Sequence, residues 1–172
     1  MSAITVTQFR KAVWDLISAL SAPLVPAARV VWLEQGSPRP KNPYIGLNVV
    51  SGPRSYGEDD MRQSSPGVYS FEGQRAFTVS VNAYGKDADE IAALITNGLS
   101  KVSAMDLLAA RSVALLSNTS PKNVSVPLET NFENRTQFDM DFGCVMAITE
   151  NVGFIEQTGI LNNASGDQTD IG

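Results

Sequence analysis

Residues Thr136 to Thr149 read TQFDMDFGCVMAIT, and their alternation sets the expected architecture of the chain. One parity is apolar throughout: Phe138, Met140, Phe142, Cys144, Met146 and Ile148. The other parity carries Gln137, Asp139, Asp141, Gly143 and Thr149, and becomes less polar at Val145 and Ala147. Successive side chains of an extended strand point to opposite faces. The pattern therefore predicts one long strand with a buried face and a largely solvated face.

Two amphipathic helices are predicted to pack beside this strand. Their bounds are Thr5 or Thr7 to about Ala22 for the first, and Asp87 or Asp89 through Val102 for the second. Apolar residues recur at helical spacing in both, and Pro23 ends the first. Gly98 costs about 1 kcal/mol against alanine inside a helix, so we expect it to allow close packing on the sheet. Ala104 to Arg111 is predicted to be a short helical turn.

Further strands are predicted on both sides of the second helix. They are Arg29–Gln35, Tyr44–Ser51, Glu72–Tyr84, Ser112–Ser117 and Val152–Ile160, with Val124–Glu133 as a strand end or an extended arm. The first two are expected to form a hairpin with an irregular, proline-rich connection. The order of helix, strands, helix, strands predicts an α+β fold: a mainly antiparallel β-sheet with two α-helices packed on one face.

Length and composition are those of a single globular domain. We expect one domain over residues 1–160, followed by a flexible, acidic C-terminal tail over residues 161–172. No apolar run approaches the roughly 20 residues that span a bilayer, and the N-terminus lacks the pattern of a signal peptide. The chain is therefore expected to be neither exported nor bound to a membrane.

The residue types exclude several kinds of catalysis. The chain has no histidine, which removes Ser-His-Asp and Cys-His mechanisms and histidine-containing zinc sites. Its single cysteine, Cys144, excludes an intramolecular disulfide and is consistent with synthesis in a reducing compartment. The net charge of −5 argues against a protein that grips nucleic acid through clustered basic residues. No cofactor is predicted.

Gly52 to Tyr69 is predicted to be the longest irregular segment, and long loops in compact domains commonly carry function. It contains residues that are typical of protein interfaces and lie close together in sequence. The candidate subunit or partner interface is Arg54, Tyr56, Glu58, Asp59, Asp60, Met61 and Arg62. A solvated loop without a partner is the alternative.

Asp139 and Asp141 flank an inward residue, so both carboxylates are expected on one face of the strand, about 7 Å apart. The main interpretation is an acidic face that meets water or the interior of an assembly. Such a pair can also hold Mg²⁺ or Mn²⁺. A metal-dependent hydrolase would then draw on Glu58, Asp59, Asp60 and Glu150 as further acids. A small-ligand binding module is a third possibility, although no pocket can be read from sequence.

Three segments together resemble the tail (neck) terminator proteins of tailed bacteriophages. They are PYIGLNVVSGPRSYGEDDMRQ (43–63), FTVSVNAYGKDADEIAALITNGL (77–99) and FDMDFGCVMAITENVGFIEQTGI (138–160). With the N-terminal amphipathic helix, the resemblance covers Val6 to Ile160. It implies an α/β sandwich-like sheet with flanking helices, in agreement with the fold read from the residues.

The resemblance also implies a structural function. Such proteins form a ring, commonly hexameric, which caps the tail tube at full length and then joins it to the head-side connector. The implied partners are copies of the chain, the tail tube protein, a sheath if the tail is contractile, and the connector. Genome DNA passes through without specific binding, and an acidic lumen would let it slide. The expected location is the virion neck, after synthesis in the host cytoplasm. Another head-tail joining, tail-completion or tube protein is the related alternative.

Overall fold

Two strands of seventeen residues form the centre of the sheet. The computed structural model describes residues 2–36, 38–128 and 131–153. In chain order the strands are β1 (Val30–Trp32), β2 (Tyr44–Ser55), β3 (Asp60–Ser65), β4 (Val68–Tyr84), β5 (Val113–Asn118), β6 (Lys122–Asn123), β7 (Val126–Leu128), β8 (Asn131–Glu133) and β9 (Arg135–Asn151). The helices are α1 (Val6–Ser21), α2 (Ala88–Gly98) and α3 (Val102–Ala110).

The main sheet has the order β1-β2-β4-β9-β5. β4 and β9 pair antiparallel without a break, from Val68 opposite Asn151 to Tyr84 opposite Arg135. β3 continues the sheet beside β4 where β2 ends, and β6 does so beside β9. β7 and β8 form a separate small hairpin. The α+β class and the mainly antiparallel sheet are confirmed.

β1 and β2 pair parallel, so the predicted hairpin is wrong. β1 is only three residues long and leads into a 3₁₀ turn and Gly36, which has a φ of 63°. The proline-rich connection then carries the chain back to the start of β1. β2 consequently runs beside β1 in the same direction.

The helices cover one face of the sheet, here named the helix face. Thr5 caps α1 in a capping box: its hydroxyl accepts from the Gln8 N–H at 3.2 Å, and its own N–H donates to Gln8 Oε1 at 2.8 Å. Inside the core, Phe9 stacks on Phe77 at 4.1 Å and meets Phe142 edge-on at 5.8 Å. Aromatic pairs of this kind stabilise a core beyond the area they bury.

Residues 2–36, 38–128 and 131–153 contain three α-helices, where two helices and a short helical turn were predicted. α2 ends at Gly98, and the predicted helical turn is the nine-residue α3. Gly98 allows close packing against α1, since a Cβ there would lie 2.7 Å from Leu20 Cδ2. Within the described residues no single helix is long and apolar enough to cross a membrane, although α2 and α3 taken together across a 76° bend pass that test.

The alternation predicted for β9 is confirmed over most of the strand. Phe138, Met140, Phe142 and Cys144 are buried on the helix face. Ile148 has the same parity but is 68% exposed, so its predicted burial is wrong. The pairing of β9 with β4 continues to Asn151, beyond the residues that the helices cover, and this leaves Ile148 exposed. The predicted strand Val152–Ile160 lies outside the described residues from position 154 onward, as does the predicted tail, 161–172.

Candidate subunit and partner interfaces

The segment predicted to be a long loop is part of the sheet. β2 extends to Ser55, β3 covers Asp60–Ser65, and β4 already begins at Val68. The prediction of an irregular Gly52–Tyr69 is therefore wrong. Every residue of β3 is exposed. A strand that is solvent-exposed on both faces shows no alternation of apolar and polar residues. The alternation that identified the other strands is therefore missing from β3.

Beyond the helices, three strands form a projection that we name the ribbon: residues 60–65, 68–73 and 146–151. Its strands pair antiparallel, with β4 in the middle. On β9 the residues from Ala147 to Asn151 are all exposed. A three-stranded ribbon without helix cover has little buried apolar area of its own, so it is the part of the fold most suited to binding another protein.

An apolar row crosses the ribbon on the helix face. Met61 lies opposite Phe71, and Phe71 lies opposite Ile148. Met61 is 62% exposed and Ile148 is 68% exposed, with Phe71 half-buried between them. Aligned apolar side chains at this exposure are typical of contact surfaces. Of the three, only Met61 was predicted to belong to an interface.

The other face of the sheet, named the polar face, carries the opposite parity. In the ribbon it presents Asp60 opposite Glu72, and Arg62 opposite Ser70. Thr149 follows on β9, opposite Ser70. The ribbon therefore carries the apolar row on its helix face, where Gln63 and Glu150 also lie, and charged or hydroxyl side chains on its polar face.

The predicted interface residues divide between these surfaces. Tyr56, Glu58 and Asp60 line an open cleft of about 560 Å³, together with Glu72, Gly73, Gln74 and Val145. Met61 belongs to the apolar row, on the face opposite to its neighbours Asp60 and Arg62. The structure thus gathers part of the predicted group around one cleft and places the rest elsewhere.

Asp59 has a structural partner. Its two carboxylate oxygens accept hydrogen bonds from Arg75 Nη1 and Nη2 at 2.7 and 2.6 Å. The pair lies over Gly73, where a Cβ would collide with the carboxylate. The Arg75 hydrogen bond holds the pKa of Asp59 below its ordinary value. A bidentate pair of this kind fixes the β2–β3 connection to β4 at the base of the ribbon.

Asp141 is held in its ionised form on the polar face. Its Oδ2 accepts from the Ser117 hydroxyl and its Oδ1 from the Thr78 hydroxyl, both at 2.7 Å. These two hydrogen bonds, with a smaller contribution from the charge of Arg54, lower the pKa of Asp141. The residue is half-buried and not freely solvated.

Asp139 lies two residues away on the same face and is also half-buried. Its backbone N–H donates to Thr119 Oγ1 at 2.9 Å. Its Oδ1 is buried and meets no donor among the described side chains. The two predicted acids therefore share a face, as expected from the strand period.

Further along this face, cross-strand hydrogen bonds order the polar side chains. Arg135 donates to Asn82 Oδ1 from Nε at 3.1 Å and from Nη2 at 2.8 Å. Gln137 Nε2 donates to Ser80 Oγ at 2.9 Å. Between Arg135 and Asp141 the polar face is consequently a fixed pattern of donors and acceptors.

The acids invoked for a hydrolase do not meet at one site: Glu58 and Asp60 line the cleft, whereas Asp139 and Asp141 lie further along the polar face. Glu150 lies opposite Tyr69, on the face away from Asp139 and Asp141. Asp59 is paired with Arg75, and both oxygens of Asp141 accept from hydroxyls. Within the part of the chain that the structure describes, no group of three or more His, Cys, Asp or Glu side chains could hold a metal ion.

Taken together, the fold and these surfaces define an α+β protein whose exposed features are strand edges, an apolar row and an ordered polar face. Residues 7–166 match the family described as phage neck terminator protein, and the chain belongs to that family. It is therefore a component of a phage virion tail. The resemblance read from the sequence is confirmed. No curated protein matches the chain.

Proposed function

We propose that this protein is the neck terminator of a tailed phage, acting as a closed ring that is expected to be hexameric. The ring caps the tail tube when the tube reaches full length and then joins it to the head-side connector. The observation that carries this proposal is the ribbon, which exposes an apolar row on a strongly paired but uncovered sheet. Such a surface needs a partner in the assembled particle.

The geometry of the contact at the ribbon decides whether copies close into a ring. Its apolar row and its edges lie at one end of the subunit and differ from each other, so contact between copies joins unlike surfaces. A contact of that kind closes into a ring when the rotation between copies closes, and forms a filament when it does not. A terminator requires the first case and a tube protein the second.

The polar face is our candidate for the lumen through which DNA passes. Asp141 keeps its charge because two hydroxyls donate to it, and Asp139 lies beside it. Fixed negative charge repels the phosphate backbone and lowers friction for a moving duplex. In assembled rings, Asp139→Asn with Asp141→Asn should increase retention of a DNA duplex at low salt. Unchanged retention would remove these residues from the lumen.

The cleft beside the ribbon is our candidate contact for the tail tube protein or a neighbouring subunit. Tyr56 is 60% exposed at its rim, and acidic side chains surround it. An aromatic residue beside charged groups is a common anchor in protein interfaces. If the tail is contractile, the sheath would be a further partner.

A structural role without catalysis is consistent with family membership and with the separation of the acids described above. We propose synthesis in the host cytoplasm, followed by incorporation into the virion neck. Another head-tail joining, tail-completion or tube protein is the alternative within the same class.

Electron microscopy of purified protein mixed with tail tubes tests the proposal. A terminator should form single rings and add one ring to one end of each tube. The tubes should then stop growing when more tube protein is supplied. Long cylinders of this protein alone would instead identify a tube protein. A monomer that ignores tubes at high concentration would overturn the proposed function.

A further inference from the structure

The ribbon has two lateral edges, and the direction of their backbone groups can be read from the hydrogen bonds. In a strand, the N–H and C=O of alternate residues point to the same side. On β9, Ile4 N donates to Val145 O at 2.8 Å, and Thr119 N donates to Asp139 O at 2.9 Å, both from the side away from β4. Odd-numbered residues of β9 therefore present their backbone groups outward. In the ribbon these are Ala147, Thr149 and Asn151.

The same reading applies to β3. Tyr56 N donates to Gln74 O at 3.0 Å, so even-numbered residues of β4 point toward β2 and β3. Asp60 and Arg62, which lie opposite Glu72 and Ser70, therefore bond to β4. The backbone groups of Met61 and Gln63 point outward instead. Among the described residues, neither ribbon edge has a strand beside it.

We propose that the β9 edge of one copy pairs with the β3 edge of the next copy. The two edges would form a parallel ladder, with Thr149 beside Arg62 of the neighbouring copy. In this register the Thr149 N–H donates to the neighbour's Met61 carbonyl, and the neighbour's Gln63 N–H donates to the Thr149 carbonyl. The inference rests on the proposed function and names the contact that closes the ring.

The face on which each side chain lies selects the parallel direction. Opposed residues of two paired strands place their side chains on the same face. In an antiparallel pair, two residues whose backbone groups point out of the ribbon edge would lie opposite each other. These are Thr149, with its side chain on the polar face, and Met61 or Gln63, with its side chain on the helix face. That contact would turn the neighbour over and put its helices on the other side. In a parallel pair, Thr149 meets Arg62, which is also on the polar face, so all copies keep their helices on one side.

The same register also continues the apolar row. Ile148 comes beside Met61 of the next copy, so the exposed apolar side chains of the two copies cover each other on the helix face. A shift of the register by one residue would put Ile148 beside Asp60 or Arg62. The side chains of the two copies would then no longer match on either face. The β9 edge carries neither proline nor lysine, the usual protections against edge pairing. A second copy is therefore the occupant that the edges fit.

Cysteine cross-linking tests this register in the full-length chain. Thr149→Cys with Arg62→Cys, with Cys144→Ala as background, should give under mild oxidation a ladder of covalent multimers that ends at the ring size. Laterally paired residues lie about 5 Å apart, within reach of a disulfide. The matched control is Thr149→Cys with Gln63→Cys, whose side chains point to opposite faces. We expect about tenfold less product from it. A mixture of the Thr149→Cys and Arg62→Cys single variants should stop at dimers.

The possible failures are distinguishable. Rings that assemble without a ladder, or with equal product from the control, overturn the edge contact and leave the proposed function standing. If residues 154–172 of the same chain occupy the β9 edge, no disulfide forms between copies. That result also overturns the edge contact and leaves the proposed function standing. Absence of rings and of tube capping overturns the proposed function as well.

Hydrogen exchange on the wild-type chain gives a second measurement that needs no variant. On assembly, the amides of Met61, Gln63, Thr149 and Asn151 should slow markedly, whereas the exposed amides of the α1–β1 connection should not. Unchanged exchange at these four amides in assembled rings would overturn the contact.

Discussion

Ile148 and Phe142 share one strand and one parity, but the structure places them in different environments. Phe142 is fully buried against Phe9, so Phe142→Ala should cost about 3–5 kcal/mol of unfolding free energy. Ile148 is 68% exposed. Only about a third of the roughly 1.5–3 kcal/mol for a fully buried side chain is at stake, so Ile148→Ala should cost about 0.5–1 kcal/mol.

Denaturation of dilute protein, at concentrations where it is monomeric, measures both values. In a domain of this size, the melting temperature should fall by about 6–20 °C for Phe142→Ala and by about 1–4 °C for Ile148→Ala. At concentrations where rings assemble, Ile148→Ala should impair assembly even though it destabilises the monomer little. Folded Ile148→Ala should form rings less readily, because in the proposed edge contact the Ile148 side chain covers Met61 of the neighbour. An Ile148→Ala variant as unstable as Phe142→Ala in the monomer would refute the view that the core ends at Cys144.

Three further predictions follow from single groups. The low pKa of Asp59 means that its pair with Arg75 contributes stability above the ordinary carboxyl pKa and loses it as pH falls through the lowered value. Asp59→Asn should therefore flatten the acid limb of the stability curve and speed amide exchange in the ribbon; an unchanged curve would contradict this. Burial raises the pKa of Tyr44 from 10.0 to about 12, so stability should fall as pH rises through that interval, and Tyr44→Phe should remove the decline. Burial also raises the pKa of the Cys144 thiol to about 11, so a thiol reagent should react with it only after unfolding, and rapid reaction in the native protein would count against the buried strand face.

The sequence predicted the fold best where one face of an element is buried against a partner. The alternation of β9 identified Phe138 to Cys144 correctly because the helices cover that side of the strand. The same alternation could not show where the helix layer stops, which is why Ile148 was wrongly assigned to the core. The direction of β1 depends on how a proline-rich connection folds back, and local patterns carry no information on that.

The candidate site could be predicted only in part, for the same physical reason. Met61 and Tyr56 stand out in a polar segment by residue type alone. Phe71 and Ile148 complete the apolar row only because strands that are distant in sequence pair with each other. The sequence of one strand does not predict its register against another. Asp139 and Asp141 were placed on a common face by the strand period. The hydroxyl partners of Asp141, Thr78 and Ser117, come from neighbouring strands and required the structure.

The most direct measurement for the central claim is the native mass of the purified full-length protein as its concentration is raised. The subunit mass is 18.4 kDa. Closure into a ring predicts one dominant species at a fixed multiple of that mass, expected to be six, which does not grow further as more protein is added. A mass that remains at one subunit, or a series that lengthens without limit, would contradict the account.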